Sequence, residues 1–552
     1  MKITLLVTTD LHGFIYPYDY YTARPADRGL AKIAALVRAA RGENPRTVLI
    51  DCGDTIQGSP MAAVYHQQLR TGRMPLGLPA PAQPLDAEPM MLAMNHIGYD
   101  AMVLGNHEFN FGLANLDRAR ADARFPWLSA NTRSVSGASG RAFDPYWIKT
   151  LDGVKMAVVG ITTPAIPEWE KEENYRGYRF LPGVETARRV VEELRARHPP
   201  DIVVAAVHAG LDRDLESGAV QPEKSAENMV YQIASGVPGI DAIVFGHTHR
   251  QVNARIGDVV LLQPRHWGMA LGRIDFELER RAGGKWRLAS RRAAAIPVTA
   301  ETPADPEILR LARPYHELTE RYLSTTVAES PVAMDGRLAR VRDTALVDAV
   351  HAVQLHYAQA DVSLTALFNP AVSIPKGPVT VREIASLYIY ENELYAVEGD
   401  GRMLKQALEN AARYFLSCTG EDCSGGPLIR KTIASYNFDI AQGVDYEIDL
   451  TRPEGQRIRN LRFRGRPLAD GRKLRIAINN YRAGGSGGYE MFRGARVLWR
   501  SMREIRDLIV EYYSERQRLP GEADGNWRIV PDAAVRALER ELQRKPGGGD
   551  SR

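Results

Sequence analysis

Five short polar segments each stand at the end of an apolar or β-branched run: Asp10-Leu11-His12, Gly53-Asp54, Gly105-Asn106-His107-Glu108, His208-Ala209-Gly210 and Gly246-His247-Thr248-His249. The runs are Lys2 to Thr9, Thr47 to Ile50, Ala101 to Leu104, Ile202 to Val207 and Ala242 to Phe245, and each has the length and composition of a buried strand. Side chains at the carboxyl ends of parallel strands meet in one crevice. A single Asp-x-His is an ordinary polar turn. Five such segments in this order constrain the chain to a parallel-stranded α/β body that gathers aspartate, asparagine and histidine at one place.

The 552 residues leave room for about two to four domains. Lys and Arg number 71 against 67 Asp and Glu, a formal +4, and the signs are interspersed. That excludes a dedicated surface for nucleic-acid polymers or membranes. No apolar run approaches the ~18 residues of a spanning helix, so membrane insertion is not expected. The opening Met1-Lys2-Ile3-Thr4-Leu5-Leu6-Val7 runs straight into Asp10 with no cleavage site. As written, the chain is expected in the cytoplasm, with a periplasmic or extracellular location as the alternative if a leader is removed. Cys52 reads as a small buried filler. Cys418 and Cys423 read as two free thiols in a cytosolic protein, or as a small loop disulfide in an exported one. Composition leaves the oligomeric state open.

Residues 1–298 alternate apolar runs with helical patterns. Leu30, Ile33, Ala34 and Val37 mark one helix face within Gly29 to Ala40, and Asp86 to Ile97 repeats the behaviour. Strands separated by helices predict a mainly parallel sheet covered on both faces. At 299–327, Pro303 and Pro306 open a polar helix that reads as a linker between two bodies. Residues 328–543 return to mixed signals, with helices expected at Thr344 to His356 and Gly401 to Phe415. Strands are expected there at Leu394 to Glu398, Tyr446 to Leu450 and Lys473 to Asn479, before the loop Gly484-Gly-Ser-Gly-Gly488. The end, 544–552, has no apolar face to bury and reads as a flexible tail.

Oxygen and nitrogen donors without a thiolate suit Mn²⁺, Zn²⁺ or Fe²⁺. Two such ions about 3.5–4 Å apart need a carboxylate that bridges them and activates a shared water. Asp54, beside Gly53 on a strand-to-helix turn, is the expected bridge. Asp10, His12 and His249 are assigned to one ion with Asp54; Asn106, His208 and His247 are assigned to the other with Asp54. A bridging hydroxide would attack phosphorus in line. His107 is left free of metal, to contact the phosphate and protonate the leaving oxygen. His66, His96, His198, His266, His316, His351 and His356 lack partner motifs and are expected to be structural.

These segments resemble the calcineurin-like metallophosphoesterases, in the two-domain 5′-nucleotidase and cyclic-nucleotide phosphodiesterase branch. Thr9-Asp-Leu-His-Gly13, Asp51-Cys-Gly-Asp54, Gly105-Asn-His-Glu-Phe109 and Gly246-His-Thr-His249 carry the resemblance in the first half. Tyr436-Asn-Phe-Asp439, Asp449-Leu-Thr-Arg-Pro453 and Asn479-Asn-Tyr-Arg-Ala483 extend it through the second. It implies a four-layer α/β sandwich domain, a linker helix and an α/β substrate-binding domain of the 5′-nucleotidase type.

Three departures bear on the branch. Members that hydrolyse 5′-nucleotides usually have an Asp where this chain has Asn110; an amide orients the imidazole of His107 without stabilising its charged form. They carry a substrate-clamping arginine where Phe368-Asn-Pro-Ala-Val-Ser-Ile-Pro375 has none, and an aspartate where Gly485-Ser-Gly487 has none. With Gly105-Asn-His-Glu-Phe-Asn-Phe-Gly112 and Ile374-Pro-Lys-Gly-Pro-Val-Thr-Val381, the chain is similar to the 2′,3′-cyclic-nucleotide 2′-phosphodiesterase/3′-nucleotidase subgroup. That similarity implies a nucleotide substrate whose base lies between two aromatics, Tyr481 on one side and Tyr436 or Phe438 on the other. A 5′-nucleotidase or UDP-sugar hydrolase is the alternative on the same scaffold. The candidate stacking aromatics speak against a sulfur-compound hydrolase on that scaffold, and the complete ligand set against a metal-binding scaffold without turnover.

Overall fold

A computed structural model describes the chain except residues 82, 86, 136–142, 216–226, 282, 391, 420–421 and 544–552, together with the side chain at 502. The tail expected at 544–552 lies outside the described residues. The chain divides into two compact units, Met1–Tyr322 and Leu323–Arg552.

The first unit contains two six-stranded sheets. One runs Trp286–Pro297, Ala270–Arg280, Lys2–Thr8, Thr47–Asp51, Ala101–Val103, Trp127–Leu128. The other runs Gln251–Ile256, Val259–Pro264, Ala242–Phe245, Ile202–His208, Val154–Thr162, Tyr146–Leu151. The residue pattern predicts one mainly parallel sheet, where there are two, as the four-layer sandwich of the resemblance implies: the first is antiparallel only on its Trp286–Pro297 side and parallel through to its Trp127–Leu128 edge, and the second is parallel at its centre and antiparallel at both margins. Ile3, Leu5, Val48 and Ile50 of the first sheet share one core with Val158, Val204, Ala206 and Val244 of the second. Alternate residues of the second sheet, Ala157, Ala205 and Ile243, face the helices Gly183–Arg197 and Val230–Gly236 through Val190, Val191, Leu194 and Ile233. The helix Leu30–Glu43 packs on strands of the first sheet. Strands buried on both faces read as continuous apolar runs, so alternation could not assign them to two sheets.

Parallel register sets the strand ends level. Thr8 stands opposite Asp51, and Val207 opposite Phe245. The segments that follow these residues therefore emerge together.

The helix Pro306–Leu323 starts with proline in its first turn, where no amide donor is needed. Its residues Ile308, Ala312, Tyr315 and Leu318 are buried, and the Tyr315 hydroxyl donates to the Ala87 carbonyl at 2.6 Å. The segment expected as a linker, 299–327, is thus divided. The helix packs on the first unit because one face is apolar, and the strand Thr326–Ser330 pairs with Gly377–Thr380 in the second.

The second unit is built on a five-stranded mixed sheet ordered Asp439–Gln442, Val362–Ala366, Lys473–Asn479, Glu393–Asp400, Val497–Glu504. A four-stranded sheet containing Asp445–Asp449 and Trp527–Val530 accompanies it. Cys418 and Cys423, read as free thiols for a cytosolic chain, are joined as a disulfide. Cys52 is buried and free. Alkylation followed by intact mass checks this: no adduct on the native protein, one after denaturation, and three after denaturation with reduction. Among the described residues, no helix is long and apolar enough to cross a membrane.

Candidate metal centre

The five polar segments converge. Donor atoms of Asp10, His12 and His249 lie within 4.8 Å of one another, and so do those of Asp54, His208 and His247. Asn106 Oδ1 stands 3.2 Å from His208 Nε2, which is 3.0 Å from Asp54 Oδ2. All seven residues expected as ligands are therefore brought together in two groups. His107 lies beside them, with Nε2 3.9 Å from Asp54 Oδ2 and its backbone N–H donating to Asp54 Oδ1 at 2.8 Å.

The backbone at the site is bent into conformations that side chains disfavour. Asp10, His12, Asp54, His247 and His249 all have positive φ, between 48° and 75°. Left-handed non-glycine residues cost on the order of 1–3 kcal/mol each and concentrate at functional sites. The turns that hold them depend on close backbone approach. A Cβ on Gly105 would stand 2.5 Å from the Asp54 nitrogen and 2.7 Å from Glu108 Oε2. That crowding reflects a latch: Glu108 accepts from the N–H groups of Gly105 at 2.7 Å, Asp54 at 2.9 Å and Thr55 at 2.6 Å, tying two ligand loops to one buried carboxylate. Glu108 stands in the sequence motif, but its role there was missed because two of its three partners, Asp54 and Thr55, lie more than fifty residues away.

The imidazoles are aimed by carbonyls. His12 Nδ1 donates to Gln57 O and His208 Nδ1 to Cys52 O, both at 2.7 Å, which leaves each Nε2 a lone pair facing the site. His247 is held by Glu227 at 2.7 Å and covered by the stacked Trp169. His12 Nε2 and His249 Nε2 face each other at 2.9 Å. Such convergence is unfavourable without a cation or proton between the groups, and the oxygen and nitrogen set fits a divalent ion.

Charge tells the same story. Burial pushes Asp10 up, and the charge of Asp54 adds to the rise. Burial also opposes ionisation of Asp54, but His208, His107 and His12 outweigh it and hold the carboxyl well below its ordinary value. His208, against its own burial, is drawn up to about 10 by Asp54. Burial and His249 push His12 well down. A metal ligand must be deprotonated, so loading this site displaces protons and is favoured as pH rises.

His266, expected to be structural, stacks on His249 with centroids 4.6 Å apart. Glu170 and Glu227 also went unnoticed, since neither belongs to a motif.

In the second unit, Tyr436 and Tyr481 are 37% and 40% exposed, as a base platform requires. Phe438 is corrected: at 1% exposure it lies in the core among Tyr414, Phe415 and Trp527. The turn Ser435–Asn437 breaks the two-residue alternation that would have put 436 and 438 on one side. Tyr390, not anticipated, is exposed beside Tyr436 with centroids 6.2 Å apart.

Two ligand groups at the strand ends of a sheet sandwich, with the half-buried His107 beside them, define a dimetal hydrolase architecture. Residues 3–251 match the calcineurin-like phosphoesterase model, and 325–494 match the 5′-nucleotidase C-terminal domain. The chain is 31% identical, over 99% of its length and 92% of the relative, to the 2′,3′-cyclic-nucleotide 2′-phosphodiesterase/3′-nucleotidase of Salmonella typhimurium. It is 29% identical over 99% of its length to the trifunctional nucleotide phosphoesterase YfkN of Bacillus subtilis, of which it spans 40%. A Staphylococcus aureus structure described as a 5′-nucleotidase superposes with TM-score 0.79 at 26% identity, covering 96% of this chain and 100% of that one. The protein belongs to the calcineurin-like phosphoesterases that carry a 5′-nucleotidase C-terminal domain, a family of metal-dependent hydrolases.

Proposed function

We propose that the protein opens 2′,3′-cyclic nucleotides to 3′-nucleotides and then removes the 3′-phosphate. The observation that carries this reading is the His107–Asn110 pair, in which Nδ1 stands 2.5 Å from an amide oxygen rather than a carboxylate. The near full-length similarity to the Salmonella enzyme supports it.

In this reading Asp10, His12 and His249 would hold one divalent ion and Asn106, His208 and His247 the other, with Asp54 serving both, and Mn²⁺, Zn²⁺ or Fe²⁺ would suit the donors. When bound, two such ions neutralise phosphate charge and lower the pKa of water at the site. The chain's own residues do the rest. His107 keeps Nδ1–H on Asn110 and presents Nε2 to the leaving oxygen, where it delivers a proton. His12 and His208 are fixed by backbone carbonyls, so the donor set is organised before substrate arrives. Tyr436 and Tyr481 offer faces on which a base stacks, a contribution of ~1–3 kcal/mol that tolerates any base.

The test is phosphate release and product chromatography with Mn²⁺-loaded protein on 2′,3′-cyclic AMP, 3′-AMP and 5′-AMP at equal concentration. The expected result is preference for the first two. Preference for 5′-AMP overturns the substrate assignment in favour of a 5′-nucleotidase.

The Cys418–Cys423 disulfide favours an oxidising compartment over the cytoplasm for the working enzyme. Cell fractionation combined with the thiol count described above tests this.

A further inference from the structure

Behind Asn110 stands a carboxylate that no sequence motif contains. Asn110 Nδ2 donates to Glu170 Oε2 at 2.5 Å, while Asn110 Oδ1 faces His107 Nδ1 at 2.5 Å. Glu170 is itself anchored: its Oε1 accepts from the Lys171 N–H at 2.7 Å and from Asn174 Nδ2 at 2.9 Å. Asn174 Nδ2 also reaches the Asn110 carbonyl at 3.2 Å. The preceding residue, Trp169, stacks on His247, so this turn braces two sides of the candidate centre.

We propose that Glu170 is a positioning residue for His107, acting through Asn110; the inference rests on the reading of His107 as proton donor to the leaving oxygen. An asparagine amide has two similar ends, one donating and one accepting. A carboxylate only accepts, so Glu170 admits only the Nδ2 end of Asn110. The Oδ1 end must then face His107, whose Nδ1 must carry the hydrogen. One carboxylate thereby fixes an amide, a ring orientation and which nitrogen, Nε2, is presented to the site. Without Glu170 the amide can turn its NH₂ toward Nδ1, and the ring loses its fixed partner. An aspartate at 110 would have no wrong end and would need no Glu170.

The test uses metal-loaded full-length protein and two substrates, 3′-AMP, whose alkoxide leaving group needs a proton, and p-nitrophenyl phosphate, whose phenolate does not. For E170A, kcat on 3′-AMP is expected to fall 10- to 100-fold, the scale of losing a supporting hydrogen-bond partner, with KM changed less than twofold. Turnover of p-nitrophenyl phosphate should fall less than threefold, with two metals still bound per chain. The isosteric E170Q should show the same selectivity with a smaller loss, and serves if E170A fails to fold. In an N110D background, E170A should cost less than threefold on 3′-AMP.

Equal losses on both substrates, or an undiminished E170A loss in the N110D background, overturn the proposal. H107A separates it from the reading beneath it. If H107A discriminates between the substrates and E170A does not, only the role of Glu170 falls. If H107A treats both alike, the proton-donor reading falls, and the role of Glu170 with it.

Discussion

Asp54→Asn is expected to lower phosphoesterase turnover by on the order of 10³-fold or more, the scale at which a central electrostatic group is missed. The substitution preserves volume and removes the charge of the carboxylate proposed to serve both ligand groups. Asp54 Oδ1 accepts from the His107 N–H at 2.8 Å, and Oδ2 lies 3.0 Å from His208 Nε2. An asparagine that keeps its oxygen on His107 must turn its NH₂ toward His208, aiming a donor at the place where the imidazole lone pair points. Turned the other way, it sets two N–H groups against each other. The backbone should stay in place, because Glu108 holds the Asp54 N–H without using the side chain. Loss of activity should therefore come with loss of bound metal, to one ion or fewer per chain by elemental analysis, and with an unchanged circular dichroism spectrum. A variant that keeps two ions and wild-type turnover would overturn the assignment of Asp54 as the shared ligand.

How much of this could be read from the chain depended on whether the physics was local. The ligand segments were legible because a β-branched run ending in Asp or His places its side chain at a strand end, and parallel register brings those ends level. The left-handed backbone at Asp10, His12, Asp54, His247 and His249 was not, since no residue type there announces positive φ. Glu108 stood in a recognised motif, but its work is done on Asp54 and Thr55, across a different strand. Glu170 lies sixty residues from Asn110 in a turn of no evident pattern, and only the folded chain puts them together. The two-sheet arrangement, implied by the resemblance, could not be read from periodicity for a different reason. Ile3, Leu5 and Val7 face the shared core while Leu6 is buried on the opposite side, so periodicity carries no label for the partner sheet. In the second unit, the resemblance left Tyr436 and Phe438 as alternatives, and only the folded chain shows that the turn Ser435–Asn437 exposes the first and sends the second into the core. Arg482, read only as part of the Asn479-Asn-Tyr-Arg-Ala483 motif, proves to be among the largest fully buried side chains there.

The burial of Arg482 leads to the second large effect. Its guanidinium pairs with Asp439 through two bonds of 2.9 Å, Nε to Oδ2 and Nη2 to Oδ1, with both residues out of solvent. Burial would lower the Arg482 pKa, yet the Asp439 carboxylate holds it above the ordinary arginine value. The same guanidinium donates to the Tyr436 carbonyl at 2.6 Å and lies 5.4 Å from the Tyr481 ring centroid and 4.3 Å from that of Tyr489. One cation therefore supports the backbone of one candidate base platform and the ring of the other. Arg482→Met keeps much of the volume but strands the Asp439 carboxylate in the core, which costs about 3–5 kcal/mol. For a unit of this size that corresponds to a fall of roughly 10 °C in the melting transition of the second unit. The double variant Arg482→Met with Asp439→Leu should regain much of that stability, since replacing both members of a buried pair is far less costly than removing one. Nucleotide binding should not recover with it: KM for 3′-AMP should stay raised in the double variant, while turnover of p-nitrophenyl phosphate, which has no base to stack, should match the wild type. If KM recovers together with stability, Arg482 serves the fold alone, and Tyr436 and Tyr481 hold their places without it.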